Sequence, residues 1–336
     1  MTAGADSGPL RLLVTALAQR HLAPLIAAQQ GPRAVQLLAL EEIADDESRG
    51  VHAAFISRDL TGLSTKFVVL DELAACHRVL RRSSELAWVH THSAGNDRPI
   101  YAELQARGVA VSTSSGANAE VVAHSALAGL LALARRLPQL MAAQQRRAWE
   151  PLLSGPLPPD LRGQTVLLLG WGPIARCLQP LLSMLGLHVV VLRHGSQAAG
   201  PGIETGPHTQ LRSVLPRAQW LLLACPLTPQ TRGLIDAAAQ ALLPPGAMVV
   251  NVARGEVIDE AALIAALQSG HLGGAFLDVF EHEPLPTDSP LWTLPGVIVS
   301  PHAAGHGAGN AARTQAMFLD NLGRWLRGEA LINAVK

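Results

Sequence analysis

Three short segments late in the chain carry the side chains best suited to chemistry: NVARGEVIDE with Arg254, LDVFEHEPLP with Glu283 and VSPHAAG with His302. A guanidinium, a carboxylate and an imidazole are the groups of anion binding and proton transfer near neutral pH. Each stands at or just after a short apolar run that reads as a β-strand. Open α/β sheets bind ligands at the carboxyl ends of their strands.

A fourth segment provides for an anion without using a charge. Gln164-Thr-Val-Leu-Leu-Leu-Gly170-Trp171-Gly172-Pro173-Ile174-Ala175 is an apolar strand running into G-x-G-x-x-A and then into a helix beginning near Ile174. The first glycine allows a tight turn, the second lets a pyrophosphate approach the backbone, and a small third residue lets helix and strand pack closely. Gly170, Trp171, Gly172, Pro173 and Ile174 are therefore expected to bind a dinucleotide. The following strand, HVVVLRHGS, ends in Arg193 where an NAD site normally carries an acidic residue. Arg193, His194 and Ser196 offer donors for a 2′-phosphate that a carboxylate would repel, so NADP(H) is the expected cofactor, with NAD(H) as the alternative.

The elements that must position these groups follow from the apolar pattern. Strands are expected at Arg11–Ala16, Val35–Leu40, Ala53–Ser57, Ala87–His90 and Val109–Ser112, with helices at Lys66–Arg82 and Pro99–Arg107. After a buried core helix, Glu120–Leu137, the four prolines of PLLSGPLPPD mark a turn-rich connector. Six further strands follow at Thr165–Leu169, His188–Arg193, Trp220–Cys225, Met248–Val252, Gly274–Val279 and Val297–Ser300. An amphipathic helix, Ala311–Leu326, closes the chain and is expected to return to the first domain. The fold class is α/β, with parallel strands joined by helices.

Composition narrows the function classes. The 336 residues suit two domains, and 49% apolar against 15% charged residues suits a buried interior rather than a disordered chain. Lys+Arg and Asp+Glu balance at 26 each, which gives no electrostatic case for nucleic acid or an anionic membrane as partner. The odd set Cys76, Cys177 and Cys225 has no C-x-x-C spacing, so neither a disulfide framework nor a zinc ribbon is expected. The N-terminal stretch lacks a basic region ahead of a short apolar run, so no export signal is expected and a cytoplasmic location fits. His90, His92, His124, His302 and His306 have no carboxylate or cysteine completing a ligand set, so no metal site is expected. Trp88, Trp149 and Trp292 are expected to be packing residues.

Through Gly170-x-Gly172, Asn251-Val-Ala-Arg254-Gly255, Asp278-Val-Phe-Glu-x-Glu283-Pro284-Leu285 and Ser300-Pro301-His302, the chain resembles the D-isomer-specific 2-hydroxyacid dehydrogenases over nearly its whole length. Four motifs stand in the family's order. The resemblance implies a Rossmann-type dinucleotide-binding domain over residues 119–301 and a smaller flavodoxin-like α/β substrate domain over 1–118, completed by 302–336. It implies His302 as acid/base, Glu283 as its carboxylate partner and Arg254 as the group that binds the substrate's carboxylate and carbonyl oxygen. Hydride delivery to a keto carbon builds charge on oxygen, which calls for a proton donor and a fixed cation.

The resemblance further implies that the loop His92–Asp97, through Ser93, Ala94 and Gly95, meets the substrate carboxylate, together with Arg254 and His302. The cofactor is expected against Cys225, Pro226, Thr231, Val252, Ala253, Arg254, Asp278 and His302, and a homodimer is expected. Two positions depart from the family's habit: His124 stands where many relatives have glutamate, and Asn96 where many have an aliphatic residue. Taken singly, Arg254, Glu283 and His302 read as a surface ion pair, a loop carboxylate and a turn histidine; their joint order excludes that. A small 2-keto acid such as glyoxylate or hydroxypyruvate is the expected substrate. Glu283 argues against formate oxidation, and the C-terminal regulatory domain of longer phosphoglycerate dehydrogenases is not expected. A nucleotide-sensing binding protein on the same fold is the alternative, against which the intact trio argues.

Overall fold

The computed structural model describes residues 8–29, 31–44, 46–153 and 155–335. They form two compact units, one of residues up to Asn118 together with the segment from Gly307 onward, the other Ala119–His306. The chain crosses back at His306/Gly307 rather than at 301/302, so His302 lies inside the second unit.

The first unit holds β1 (Leu10–Val14), β2 (Val35–Ala39), β3 (Ala53–Ile56), β4 (Trp88–Thr91) and β5 (Ala110–Thr113) in the order β2-β1-β3-β4-β5, every pairing parallel. β3 and β4 are buried along their whole length, the pattern of strands covered on both faces. The helix Ala16–Ala28 starts at Thr15, whose hydroxyl accepts the Ala18 N–H; Pro24 inside it masks its sequence signal. The last helix, Asn310–Leu326, buries Phe318 and Leu322 against Leu10, Leu12 and Trp88, and Phe318 stacks on Phe55 with ring centroids 4.4 Å apart.

The second unit holds β6 (Thr165–Leu169), β7 (His188–Arg193), β8 (Glu204–Pro207), β9 (Trp220–Leu223), β10 (Ala247–Asn251), β11 (Leu272–Leu277) and β12 (Val297–Val299), ordered β12-β11-β10-β9-β6-β7-β8 and all parallel. This is the Rossmann order with one strand added beyond β11, and the strand order reverses at β6. The sheet has seven strands where six are expected from the sequence: β8, Glu-Thr-Gly-Pro, has no apolar run to reveal it. Helix Ala119–Ala134 lies so close to β11 that a Cβ on Gly129 would sit 2.3 Å from the Phe276 ring.

Three other expectations need correction. The helix expected from Lys66 starts at Asp71, because Thr65 Oγ1 accepts the N–H groups of Phe67 and Val68 and Ser64 Oγ that of Leu70, which fixes a turn instead. The helix expected to Leu137 stops at Ala134; Arg136 is left-handed, and a new helix runs Leu137–Gln145. Trp88 is buried, but Trp149 is 95% exposed and Trp292 half exposed, so Trp149 is no packing residue of this chain. Among the described residues no helix is long and apolar enough to cross a membrane.

Candidate active site

The glycine turn follows β6, where the strand order reverses. Gly170 has φ +105°, and a Cβ there would lie 2.8 Å from the Ala224 carbonyl and the Cys225 backbone; its N–H donates to Leu192 O at 2.7 Å. A side chain at this position is excluded twice over, by conformation and by space. Gly172 differs: a Cβ there would meet nothing within 4 Å. Pro173 is the first residue of the helix Pro173–Met184, whose first turn buries Ala175 completely. Open space over Gly172, at the start of a twelve-residue helix, is what a pyrophosphate needs.

Arg193 ends β7 in register with Pro207 of β8, and His194 and Ser196 lie exposed in the loop beyond. His208, not expected from the sequence, follows Pro207 and has a buried Nε2 without a hydrogen-bond partner among the described residues; burial, then His194, lowers its pKa. The signal for it lay in β8, itself unreadable. On the other side of the turn, burial pushes the Cys225 thiol up to about 12, which makes it inert, and Pro226 is exposed. Thr231 is buried and its hydroxyl donates to Pro226 O at 2.7 Å, so it locks that loop. Val252 and Ala253 are buried just past β10.

Glu283 and His302, the groups expected to handle the proton, lie past β11 and β12. His302 Nδ1 is 2.8 Å from Glu283 Oε2, and Glu283 Oε1 accepts the Phe280 N–H at 3.1 Å. The His302 side chain is 50% exposed while that of Glu283 is 13% exposed, so one end of the pair faces solvent and the other is anchored. His302 adopts φ +52°, unusual for a non-glycine residue, and its N–H donates to the carbonyls of Asp278 and Ser300.

Asp278, at 3% exposure, holds that turn in place. Its Oδ1 accepts Ser300 Oγ at 2.6 Å, Ala303 N–H at 2.8 Å and Ala304 N–H at 2.9 Å. Burial raises its pKa, against the opposing effect of those donors. Ser125 Oγ, from helix Ala119–Ala134, donates to Ala304 O at 3.0 Å and ties the same turn from behind.

Arg254 stands on a strap shaped by its neighbours. Asn251, wholly buried, accepts the Ala253 N–H through Oδ1 and donates through Nδ2 to Arg254 O, while Arg254 Nη1 donates to Ala253 O. A Cβ on Gly255 would fall 1.9 Å from the Phe280 carbonyl carbon, so only glycine lets the Arg254 strap lie against the Glu283 loop. The sequence named Arg254 but gave Asn251 and Gly255 no task; both were in view within the motif.

Ser93, Ala94 and Gly95 lie in the first unit after β4, where the Ser93 carbonyl accepts the Ser114 N–H and His92 Nε2 pairs with Thr61 Oγ1 at 2.8 Å. His124 is exposed, 4.0 Å from Glu120, and Asn96 is exposed in its loop. Among the described residues no group of three or more His, Cys, Asp or Glu is arranged to hold a metal ion.

The family model for the D-isomer specific 2-hydroxyacid dehydrogenase NAD binding domain matches residues 127–304, more than half of the chain. A D-3-phosphoglycerate dehydrogenase of Mycobacterium bovis is 35% identical over 261 residues, 76% of this chain; the chain spans only 48% of that relative's length. A glyoxylate/hydroxypyruvate reductase B of Citrobacter koseri is 33% identical over 76% of this chain and 80% of its own. Among solved structures, a D-isomer specific 2-hydroxyacid dehydrogenase from Xanthobacter autotrophicus Py2, in complex with NADPH and MES, matches 98% of both chains with a TM-score of 0.76 and 30% identity. This chain belongs to the D-isomer-specific 2-hydroxyacid dehydrogenase family.

Proposed function

We propose that the chain is an NAD(P)-dependent dehydrogenase that reduces a small 2-keto acid, such as glyoxylate or hydroxypyruvate, and prefers NADP(H). The observation that carries this reading is the 2.8 Å contact of Glu283 with His302 Nδ1, on a turn fixed by Asp278. With Nδ1 held by a carboxylate, the imidazole is fixed in orientation, and in its protonated form it gives the Nε2 proton to the developing alkoxide. Arg254 binds the substrate's carboxylate and carbonyl oxygen, and the Ser93–Gly95 amides bind the carboxylate. The Gly170–Ile174 turn holds a pyrophosphate, and Arg193, His194 and Ser196 hold a 2′-phosphate. The nicotinamide, when bound, supplies the hydride.

The Citrobacter relative's name supports the substrate class, and the Xanthobacter structure's NADPH supports the cofactor. Charge-assisted pairing of Arg193 with a phosphate at about 1.5–3 kcal/mol gives roughly ten- to a hundredfold discrimination over NADH. Following NADPH and NADH oxidation with a panel of 2-keto acids, in wild type and Arg193→Asp, tests both points. No turnover with any keto acid rejects the enzyme reading, and equal use of both cofactors rejects the preference. We propose a homodimer as well, supported by the exposed Leu137, Met141, Trp149, Leu153 and Leu157 along one stretch. Light scattering that gives a monomer for the wild type ends that proposal. A reducing, cytoplasmic setting goes with the three free cysteines.

A further inference from the structure

We propose that Glu260 is a positioning residue for the proton donor: its carboxylate, reaching out of its own helix, holds the loop that presents Glu283 to His302. This rests on the reading of Glu283 and His302 given above. Glu260 opens the helix Glu260–Gln268, but that helix is already capped by Asp259, whose Oδ1 accepts the Ala262 N–H at 2.9 Å. The Glu260 side chain instead crosses to the neighbouring loop, where its Oε2 accepts the Glu281 N–H at 3.0 Å.

The amide one residue back, Phe280 N–H, goes to Glu283 Oε1, and the other oxygen of Glu283 takes His302 Nδ1. Consecutive amides of one loop are thus held by two carboxylates, one from the loop itself and one from the 254–260 segment. The same segment presses on the same peptides through Gly255, where a Cβ would lie 1.9 Å from the Phe280 carbonyl carbon and 2.2 Å from the Glu281 nitrogen. Gly255 sets how close the loop comes, and Glu260 keeps it there. Arg254 stands at the head of this clamp, so the anion-binding and proton-donating groups share one support.

The placement is unfavourable for Glu260 itself. Burial raises its pKa; the Glu281 N–H and the charge of His282 oppose that, and the charges of Glu281 and Glu283 add to it. A carboxylate kept partly buried among like charges, on a helix that has another cap, is explained by what it does for the loop.

The test compares Glu260→Ala and Glu260→Gln in the whole chain, by amide hydrogen exchange at Phe280 and Glu281 and by steady-state kinetics. In Glu260→Ala we expect faster exchange at both amides and a kcat lower by about ten- to a hundredfold, with KM for NADPH close to wild type. Glu260→Gln keeps an acceptor oxygen and restores both readouts. A local role would speed exchange at Glu281 alone; unchanged protection of Phe280 in Glu260→Ala, or no rescue by glutamine, overturns the proposal. Should the alanine variant fail to fold, Glu260→Asp, with a shorter reach and the charge retained, is expected to show the same losses. If the wild type turns over no keto acid, the enzyme reading falls, yet exchange at Phe280 still decides what Glu260 does.

Discussion

His90 and His302, one in each unit, are the same side chain in two different settings. His90 is fully buried on β4, with Nδ1 2.8 Å from Ser112 Oγ and Nε2 3.0 Å from Ser114 Oγ, among the rings of Phe55, Trp88 and Phe318. Burial, followed by the charge of His92, pushes its pKa down to about 3. His302 is half exposed, and its partner is a carboxylate rather than a hydroxyl. Neutral partners and apolar walls hold an imidazole uncharged and make it a packing group; a carboxylate on one nitrogen and access to the other are what the proposed proton donor needs.

The variant that tests this contrast most severely is His302→Ala, for which we expect a loss of roughly 10²–10⁴ in kcat with cofactor affinity and melting temperature near wild type. Wild-type turnover in steady-state assays of this variant would remove the catalytic half of the comparison. Glu283→Gln should cost less, about tenfold in kcat, because the amide still accepts a hydrogen bond from Nδ1 but brings no charge. A loss as large as that of His302→Ala would mean that Glu283 does more than support the imidazole.

On the other side, His90→Ala leaves Ser112, Ser114 and Asn321 short of a buried partner and should lower stability by about 1–3 kcal/mol, read by urea unfolding. A loss of turnover in the folded variant matching that of His302→Ala would break the structural half. The smallest effect is on pH dependence. His90 is neutral when folded down to about 3 but binds a proton when unfolded below its ordinary 6.5. Its contribution is therefore present above 6.5 and lost as pH falls toward 3, since the unfolded chain then binds more protons. Burial lowers His77 to about 4, in the same direction. Unfolding at pH 7 and pH 4.5 should show the stability gap between wild type and His90→Gln narrowing at the lower pH; a constant gap would contradict this.

Much of the fold was legible because the strands are covered on both faces and so read as unbroken apolar runs, as in β6 and β9. The glycine turn was legible because its conformation and its close approach to Cys225 restrict Gly170 to one residue type. β8 was not, since a four-residue edge strand containing Gly and Pro takes its order from pairing with β7 rather than from its own pattern. Asp278 stood in a recognised motif, yet that one of its oxygens gathers three donors around the His302 turn could not be read there.

The sequence by itself determined which chemical groups are present and that they follow strand ends, because periodicity, glycine turns and motif order are properties of neighbouring residues. Only the tertiary structure decided which groups act on one another. Asn321 reaches His90 from 231 positions away, Glu260 reaches Glu281 across 21, and Gly255 owes its identity to the backbone of Phe280. Such pairings leave no period in the chain, because they depend on how closely separate segments approach in the packed interior, and the distance between two atoms there is set by every element that packs around them.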